Sequence, residues 1–270
     1  MVMKLNFLTE NSAKRDSHLL AEHGLSIYIE CDNLKLIFDT GDTDIYLKNA
    51  EKMGITPDVD FIVLSHNHYD HVGGVKYFPL QNRKVKLVAQ RYAFYPRIDY
   101  HNDLSEQEIV SRFDVIPVDS NPFELSENLL FLGSIPSSNN FEKRKNFGKV
   151  KLPSGEAVED FCEDDSALIY RSSDGIIVIT GCSHSGMCNI IQYASVIAEK
   201  KWGISKVKTI IGGLHLINSS LLSEITGFLK AKEISEIYPC HCTDLNAKIA
   251  LARAGFQVNE VSAGTSFNFS

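Results

Sequence analysis

The 270-residue sequence predicts an α/β fold of four layers, an αββα sandwich with two sheets face to face and helices outside them. Two observations lead there. The N-terminal segment is strand-rich with no helical pattern between its strands, and both halves then place helix-patterned segments after short apolar strands. A parallel doubly wound sheet would alternate strand and helix from the start.

LNFLT (5–9), LSIYIE (25–30) and LKLIF (34–38) read as strands, the last running into Asp39-Thr40-Gly41. TDIYLKNAEKM (43–53) has helical spacing and stops at Gly54. FIVLS (61–65) is a short buried strand, and Gly73-Gly74 permits a tight turn into a helix near 75–78. KVKLVA (84–89), FDVIPV (113–118) and NLLFLG (128–133) follow as strands. SALIYR (166–171) and GIIVIT (175–180) form a hairpin about Ser173-Asp174-Gly175. A turn over 181–186 leads to a helix over 187–200. The strand VKTIIGG (207–213), a helix over 219–231, the strand EISEIYP (233–239), a helix over 244–254 and a terminal strand complete the chain.

The whole length, 1–270, is expected to form one domain, with no short repeat or low-complexity tract. Segments 90–112 and 134–165 are irregular and are candidate lids, since loops this long in a compact domain are usually functional or mobile. The first carries Arg91, Tyr92, Phe94, Tyr95, Arg97, Tyr100 and His101. Its tyrosines and Phe94 are candidates to stack on a planar ring. Arg91, Arg97, Arg144 and Lys145 are candidates to grip phosphate, with a solvated charged surface as the plainer reading.

The formal charge of −7 gives no general attraction to nucleic acid or to anionic lipid. No apolar run approaches the roughly 20 residues of a membrane span. The opening MVMKLNFLTENSAKRD has no apolar core long enough for a secretory signal, and the six cysteines are dispersed. The expected compartment is the cytoplasm, with reduced thiols. The expected partner is a small-molecule substrate, with no nucleic acid and no membrane. The oligomeric state is open, a homodimer being one option.

The chemistry concentrates in HNHYDH, residues 66–71. His66 and His68 are two apart, so in an extended segment their side chains share a side. Asp70 and His71 follow where the chain must turn, which aims two ligand pairs at two neighbouring points. Nitrogen and oxygen donors of this kind suit transition metals. Further donors must close the shell. His184 in GCSHSG, His215 in GGLHL and His241 in PCHCT each follow an apolar strand-like segment, which places them at one edge of a sheet. A lone CxC is weak evidence for a metal site, so His241 is expected to matter more than Cys240 or Cys242.

SHNHYDHVGG (65–74), with Asp39 in FDTG upstream, resembles the signature of the metallo-β-lactamase superfamily. The resemblance runs from about Glu22 to the C-terminus. It implies the αββα fold, a metal centre that is usually binuclear, and an aspartate at 39 that supports a ligand from behind. Two departures stand out. Cys182 occupies the place of the usual bridging aspartate, and His184 substitutes from a new position for a histidine missing between the first cluster and that strand. For Cys182 the readings are a thiolate ligand, a site where water bridges instead, or a small buried residue. AEHGLSIYIE, FDTGDT, SHNHYDHVGG, GSIP followed by FE, TGCSHSG, IGGLHL and PCHCT occur in that order. Together they resemble the branch that includes the archaeal dihydropterin-methyl ribofuranosylaminobenzene-phosphate synthase.

These readings imply two transition-metal ions, zinc foremost, with iron or manganese as alternatives. His66, His68 and His184 would hold one; Asp70, His71 and His241 the other, with Cys182 adjacent or bridging. Asp70 and Cys182 are the candidate catalytic groups. Asp39, Glu22, His23, His215 and Glu142 are candidates for substrate contact or for support of the ligands. The expected activity is metal-dependent hydrolysis of a small phosphorylated or ester-bearing molecule. One alternative is transfer, joining a pterin methyl diphosphate to an arylamine ribosyl phosphate. The other is a non-catalytic metal-binding or redox-sensing protein on the same fold.

Overall fold

The computed structural model describes residues 2–79, 83–99, 106–217 and 220–270. Among them, strands β1 (Met3–Thr9), β2 (Ser26–Cys31), β3 (Leu34–Phe38), β4 (Phe61–Leu64), β5 (Lys86–Gln90) and β6 (Asp114–Val118) form a first sheet. Strands β7 (Phe123–Glu124), β8 (Leu129–Phe131), β11 (Ala167–Ser172), β12 (Gly175–Thr180), β13 (Val207–Gly213), β14 (Glu236–Cys240) and β15 (Gln257–Val258) form a second. The last strand, β16 (Ser266–Phe269), returns to the first sheet beside β1, giving the orders β16-β1-β2-β3-β4-β5-β6 and β15-β14-β13-β12-β11-β8-β7. Each sheet begins antiparallel and turns parallel, from β3 to β6 in one and from β12 to β15 in the other.

The parallel strands are apolar on both sides, so their runs are continuous. The two-residue strand period then assigns each residue a layer. In β4, Phe61 and Val63 face the centre while Ile62 and Leu64 face outward. In β12, Ile177 and Ile179 face the centre while Ile176 and Val178 face outward. The central layer joins Leu5, Ile27 and Phe38 of one sheet to Leu168, Tyr170 and Ile211 of the other. On one outside lie α1 (Ile45–Lys52), α2 (Tyr69–Val72) and α3 (Glu106–Arg112); on the other α4 (Met187–Trp202), α5 (Leu222–Ala231) and α6 (Leu245–Arg253). The four-layer αββα expectation holds. No helix among the described residues is long and apolar enough to cross a membrane.

The segments read as irregular carry structure of their own. Segment 90–112 contains a 3-10 turn over Arg91–Phe94 and then α3, while Tyr100 and His101 lie outside the described residues. Segment 134–165 contains a small hairpin, β9 (Lys149–Lys151) with β10 (Ala157–Glu159). These strands are too short for a periodic signal. The helix expected near 75–78 is instead α2 followed by a 3-10 turn over Gly73–Tyr77, because the chain coils before the glycines as well as after them. Gly74 is needed for close approach: a Cβ there would lie 2.2 Å from the Thr40 carbonyl oxygen.

Candidate metal centre

Every histidine of interest except His23 sits just beyond the carboxyl end of a parallel strand, where α/β sheets leave a crevice. Asp39 follows β3, the Ser65–His71 segment follows β4, and Cys182 to His184 follow β12. His215 follows β13 and His241 follows β14. Asp39, Ser183, His215 and His241 have φ of 57°, 64°, 50° and 51°. Left-handed backbone at non-glycine residues costs on the order of 1–3 kcal/mol each and clusters at functional sites. Here it swings each side chain back across the strand ends.

The aspartate behind the cluster fixes it. Asp39 Oδ1 accepts from the Ser65 amide at 2.7 Å, and Oδ2 accepts from Ser65 Oγ at 2.7 Å and from His71 Nδ1 at 2.7 Å. His71 therefore presents Nε2 inward. Ser65 Oγ in turn lies 2.9 Å from His66 Nδ1, which leaves His66 Nε2 facing the same space. At the far end Glu10 accepts the His241 amide at 2.8 Å, and Asn11 Oδ1 lies 3.0 Å from His241 Nδ1. Gly181 lets the two sheets meet here, since a Cβ on it would lie 2.0 Å from Ser65 Oγ.

The inward atoms crowd together. His66 Nε2 lies 2.9 Å from His68 Nδ1, and His71 Nε2 lies 3.0 Å from His241 Nε2 and 3.3 Å from Cys182 Sγ. Asp70 Oδ2 is 3.2 Å from His241 Nε2 and 3.8 Å from His71 Nε2. His184 is 7 % exposed, yet neither ring nitrogen has a hydrogen-bond partner, and its ring meets those of His66 and His68 edge-on at 4.7 Å. Among the described residues, donor atoms lie within 4.8 Å of one another inside each of these sets: His66, His68, Cys162 and His184; His66, His71 and Cys182; Cys182, His215 and Cys242; and His23, Asp70 and His241.

The electrostatics follow from this crowding. Burial, then neighbouring imidazoles, hold His66 and His184 well below the ordinary histidine range, and burial foremost brings His68 down to about 4. Burial opposes charge on His71, but Asp70 and Asp39 outweigh it and push His71 up to about 9. Burial likewise resists the charge on Asp70, yet His71 and His241 hold its carboxyl well below the usual range. Of the buried thiol pair, Cys242 ionises before Cys182: burial resists, but hydrogen bonds from Cys182 and His215 stabilise its sulfur. The neutral imidazoles of His66 and His68, with nitrogens 2.9 Å apart, repel where both aim lone pairs at one space. An ion between them would turn that repulsion into coordination, so the donor set fits one or more transition metals.

A matching sequence pattern decides the family: residues 20–198 match the metallo-beta-lactamase superfamily. The chain belongs to the metallo-β-lactamase superfamily. It is similar to an uncharacterized protein of Methanocaldococcus jannaschii, 30 % identical over 92 % of this chain and 94 % of that one. It is equally similar to the 7,8-dihydropterin-6-methyl-4-(β-D-ribofuranosyl)-aminobenzene-5'-phosphate synthase of the same organism, 30 % identical over 91 % of this chain and 89 % of that one. Among solved structures it is similar to Tm1679, a metal-dependent hydrolase of the β-lactamase superfamily. That likeness has a TM-score of 0.82 and 27 % identity, and covers 98 % of both chains.

The other sequence candidates are distributed as follows. His23 stands at the mouth, its Nε2 3.7 Å from Asp70 Oδ2. His215 joins the cluster's edge, its ring 4.4 Å from that of His184. Glu22, between β1 and β2, braces the turn after β3, accepting from Thr43 Oγ1 at 2.6 Å. Glu142 caps α4, accepting the Cys188 and Asn189 amides at 2.9 Å each, where a carboxylate suits the helix dipole. Arg97 is buried between Asp160 (2.6 Å) and Asp164 (2.9 Å), and Arg91 pairs with Asp119. Arg144 holds the carbonyls of Cys162 and Ile135. Tyr92 and Tyr95 pack on each other at 4.9 Å.

A cavity of about 200 Å³ opens beside His184 and His215, with Lys143 and Lys145 on one wall and Leu214, Leu216, Leu221 and Ile225 on another. Phe147, from the 134–165 segment, roofs the centre with ring contacts of 4.9 Å to His68 and 4.7 Å to His184. The sequence reading missed Glu10, Asn11, Phe147 and Cys162. None stands in a motif, and Asn11 meets His241 across 230 positions.

Proposed function

We propose that this chain is a cytoplasmic metal-dependent hydrolase acting on a small phosphorylated or ester-bearing substrate at a binuclear centre. His66, His68 and His184 would hold one ion and Asp70, His71 and His241 the other, with Cys182 adjacent to His71. The observation that carries this reading is His184, a buried imidazole with both nitrogens unpartnered, facing other imidazoles.

Bound ions of this class act as Lewis acids and lower the pKa of water toward about 7. The chain's own groups do the rest. Asp39 keeps His71 in one tautomer. Asp70, held ionised by His71 and His241, orients the attacking nucleophile. His23, exposed and adjacent to Asp70, is placed to carry the nucleophile's proton to solvent. Phe147 excludes bulk water from above, and Lys143 and Lys145 offer positive charge to an anionic substrate entering the cavity.

The similarity to the synthase along nearly its whole length favours a second reading, transfer to an arylamine in place of water. Both would use the same ligands and differ in what is excluded from the site. Metal content of protein purified without added metal comes first, by elemental mass spectrometry, for wild type and His68→Ala. The metal-loaded protein is then assayed with phosphomonoesters, phosphodiesters and lactones, and with a pterin methyl diphosphate plus an arylamine. Metal with hydrolytic turnover supports the proposal. Condensed product without hydrolysis replaces it with transfer, and metal without either turnover favours a binding protein.

A further inference from the structure

Cys162 occupies a position that no reading of the motifs uses. It lies between β10 and β11, 1 % exposed, outside any disulfide, with φ of 55°. Its donor atom is within 4.8 Å of those of His66, His68 and His184.

The backbone holds it there from both sides. The Cys162 amide donates to Asp160 Oδ1 at 2.9 Å, while its carbonyl accepts from the Asp165 amide at 3.1 Å and from Arg144. The same segment is fastened to the histidines. Asp164 Oδ2 accepts at 2.6 Å from the amide of Asn67, the residue between His66 and His68. Arg97 ties Asp164 to Asp160 on the other side. A left-handed cysteine with both peptide groups anchored is costly to build as mere filling.

We propose that Cys162 is the fourth protein donor of the group formed by His66, His68 and His184, making it a three-imidazole, one-thiolate site for a borderline transition metal such as zinc or cobalt. The proposal rests on the reading that this cluster holds metal. Two observations meet in it: a thiol fixed within reach, and the buried, unpartnered nitrogens of His184 aimed at the same point. Tetrahedral zinc takes nitrogen at about 2.0–2.1 Å and sulfur at about 2.3 Å, which spans donor separations of this size. On loading, the Cys162 thiol loses its proton to solvent and the thiolate takes the fourth position. Four protein donors close a site, whereas catalytic sites keep a position open. The open half is therefore the one lined by Asp70, His71 and His241, next to His23 and the mouth.

The test is cobalt reconstitution of the full chain, read by stoichiometry and by near-ultraviolet thiolate-to-cobalt charge transfer. The background is Cys182→Ser with Cys242→Ser, which leaves Cys162 as the thiol of the cluster. That protein should bind cobalt and keep the charge-transfer band, and adding Cys162→Ser should abolish the band. Cobalt bound by the background protein without the band overturns the proposal while leaving the metal centre standing. No cobalt bound by wild type overturns both. Should the multiple variants fold poorly, the single Cys162→Ser is compared with wild type by X-ray absorption. The number of sulfur neighbours per cobalt should fall, and an unchanged number overturns the proposal.

Discussion

Asp39→Asn isolates the bond that aims His71. The variant keeps the shape of the side chain, and asparagine tolerates the left-handed backbone at this position. It removes the charge that accepts three hydrogen bonds of 2.7 Å each, from the Ser65 amide, Ser65 Oγ and His71 Nδ1, at a site with no solvent exposure. If the amide oxygen takes the Ser65 amide, an NH2 group faces the His71 N–H, and two donors oppose each other. His71 then turns or changes tautomer, and its inward lone pair is lost. Partners that orient a metal-bound histidine are typically worth about 10–100-fold in metal affinity, or about 1.4–2.7 kcal/mol. The metal-free fold should also lose about 1.5–3 kcal/mol, the worth of one hydrogen bond to a charged group. The assay is zinc titration against a competing chelator, paired with urea unfolding of the metal-free protein. Zinc affinity within twofold of wild type would refute the claim that Asp39 orients a ligand. A drop in urea stability alone would reduce Asp39 to a structural brace.

Lowering pH should release metal and destabilise the metal-free fold. His66, His68 and His184 are held below the ordinary histidine value of about 6.5, so the unfolded chain binds more protons. Their contribution is whole above about 6.5 and falls below it by about 1.4 kcal/mol per pH unit for each histidine, the fall due to His68 ending near about 4. His71 acts oppositely: its contribution is present below about 6.5 and is lost as pH rises through about 9. Urea midpoints of metal-free protein from pH 5 to 9 should therefore peak near neutrality; a flat profile contradicts the assignment. Arg97→Ala leaves Asp160 and Asp164 buried without their cation and should cost about 3–5 kcal/mol in chemical unfolding. A loss under 1 kcal/mol would mean water replaces the guanidinium. Gly181→Ala puts a Cβ 2.0 Å from Ser65 Oγ and 2.9 Å from Asp39 Oδ2. It should cost about 1–3 kcal/mol and weaken zinc binding with it; an unchanged zinc titration would show that the Ser65–Asp39 contact yields without disturbing His71.

The sequence by itself determined the layers and the local half of the histidine cluster. Runs such as FIVL and GIIVIT are apolar on both faces, which only a doubly covered sheet accommodates, and the strand period then divides each run between two cores. HNHYDH is local, so its spacing alone put His66 and His68 on one side and turned Asp70 and His71 toward a second point. Tertiary structure alone decided what closes that centre. His184, His215 and His241 come from three different strand ends, and the left-handed backbone that turns His215 and His241 inward has no glycine to announce it. Cys162 reaches the cluster because Arg97, Asp160 and Asp164 fasten its loop to Asn67. Glu10 and Asn11 hold His241 because β1 and β14 end at the same edge of a sandwich. A histidine pair two positions apart is a property of the chain. A shell drawn from both sheets is a property of their packing, since hydrogen bonds between residues more than 200 positions apart leave no periodicity to read.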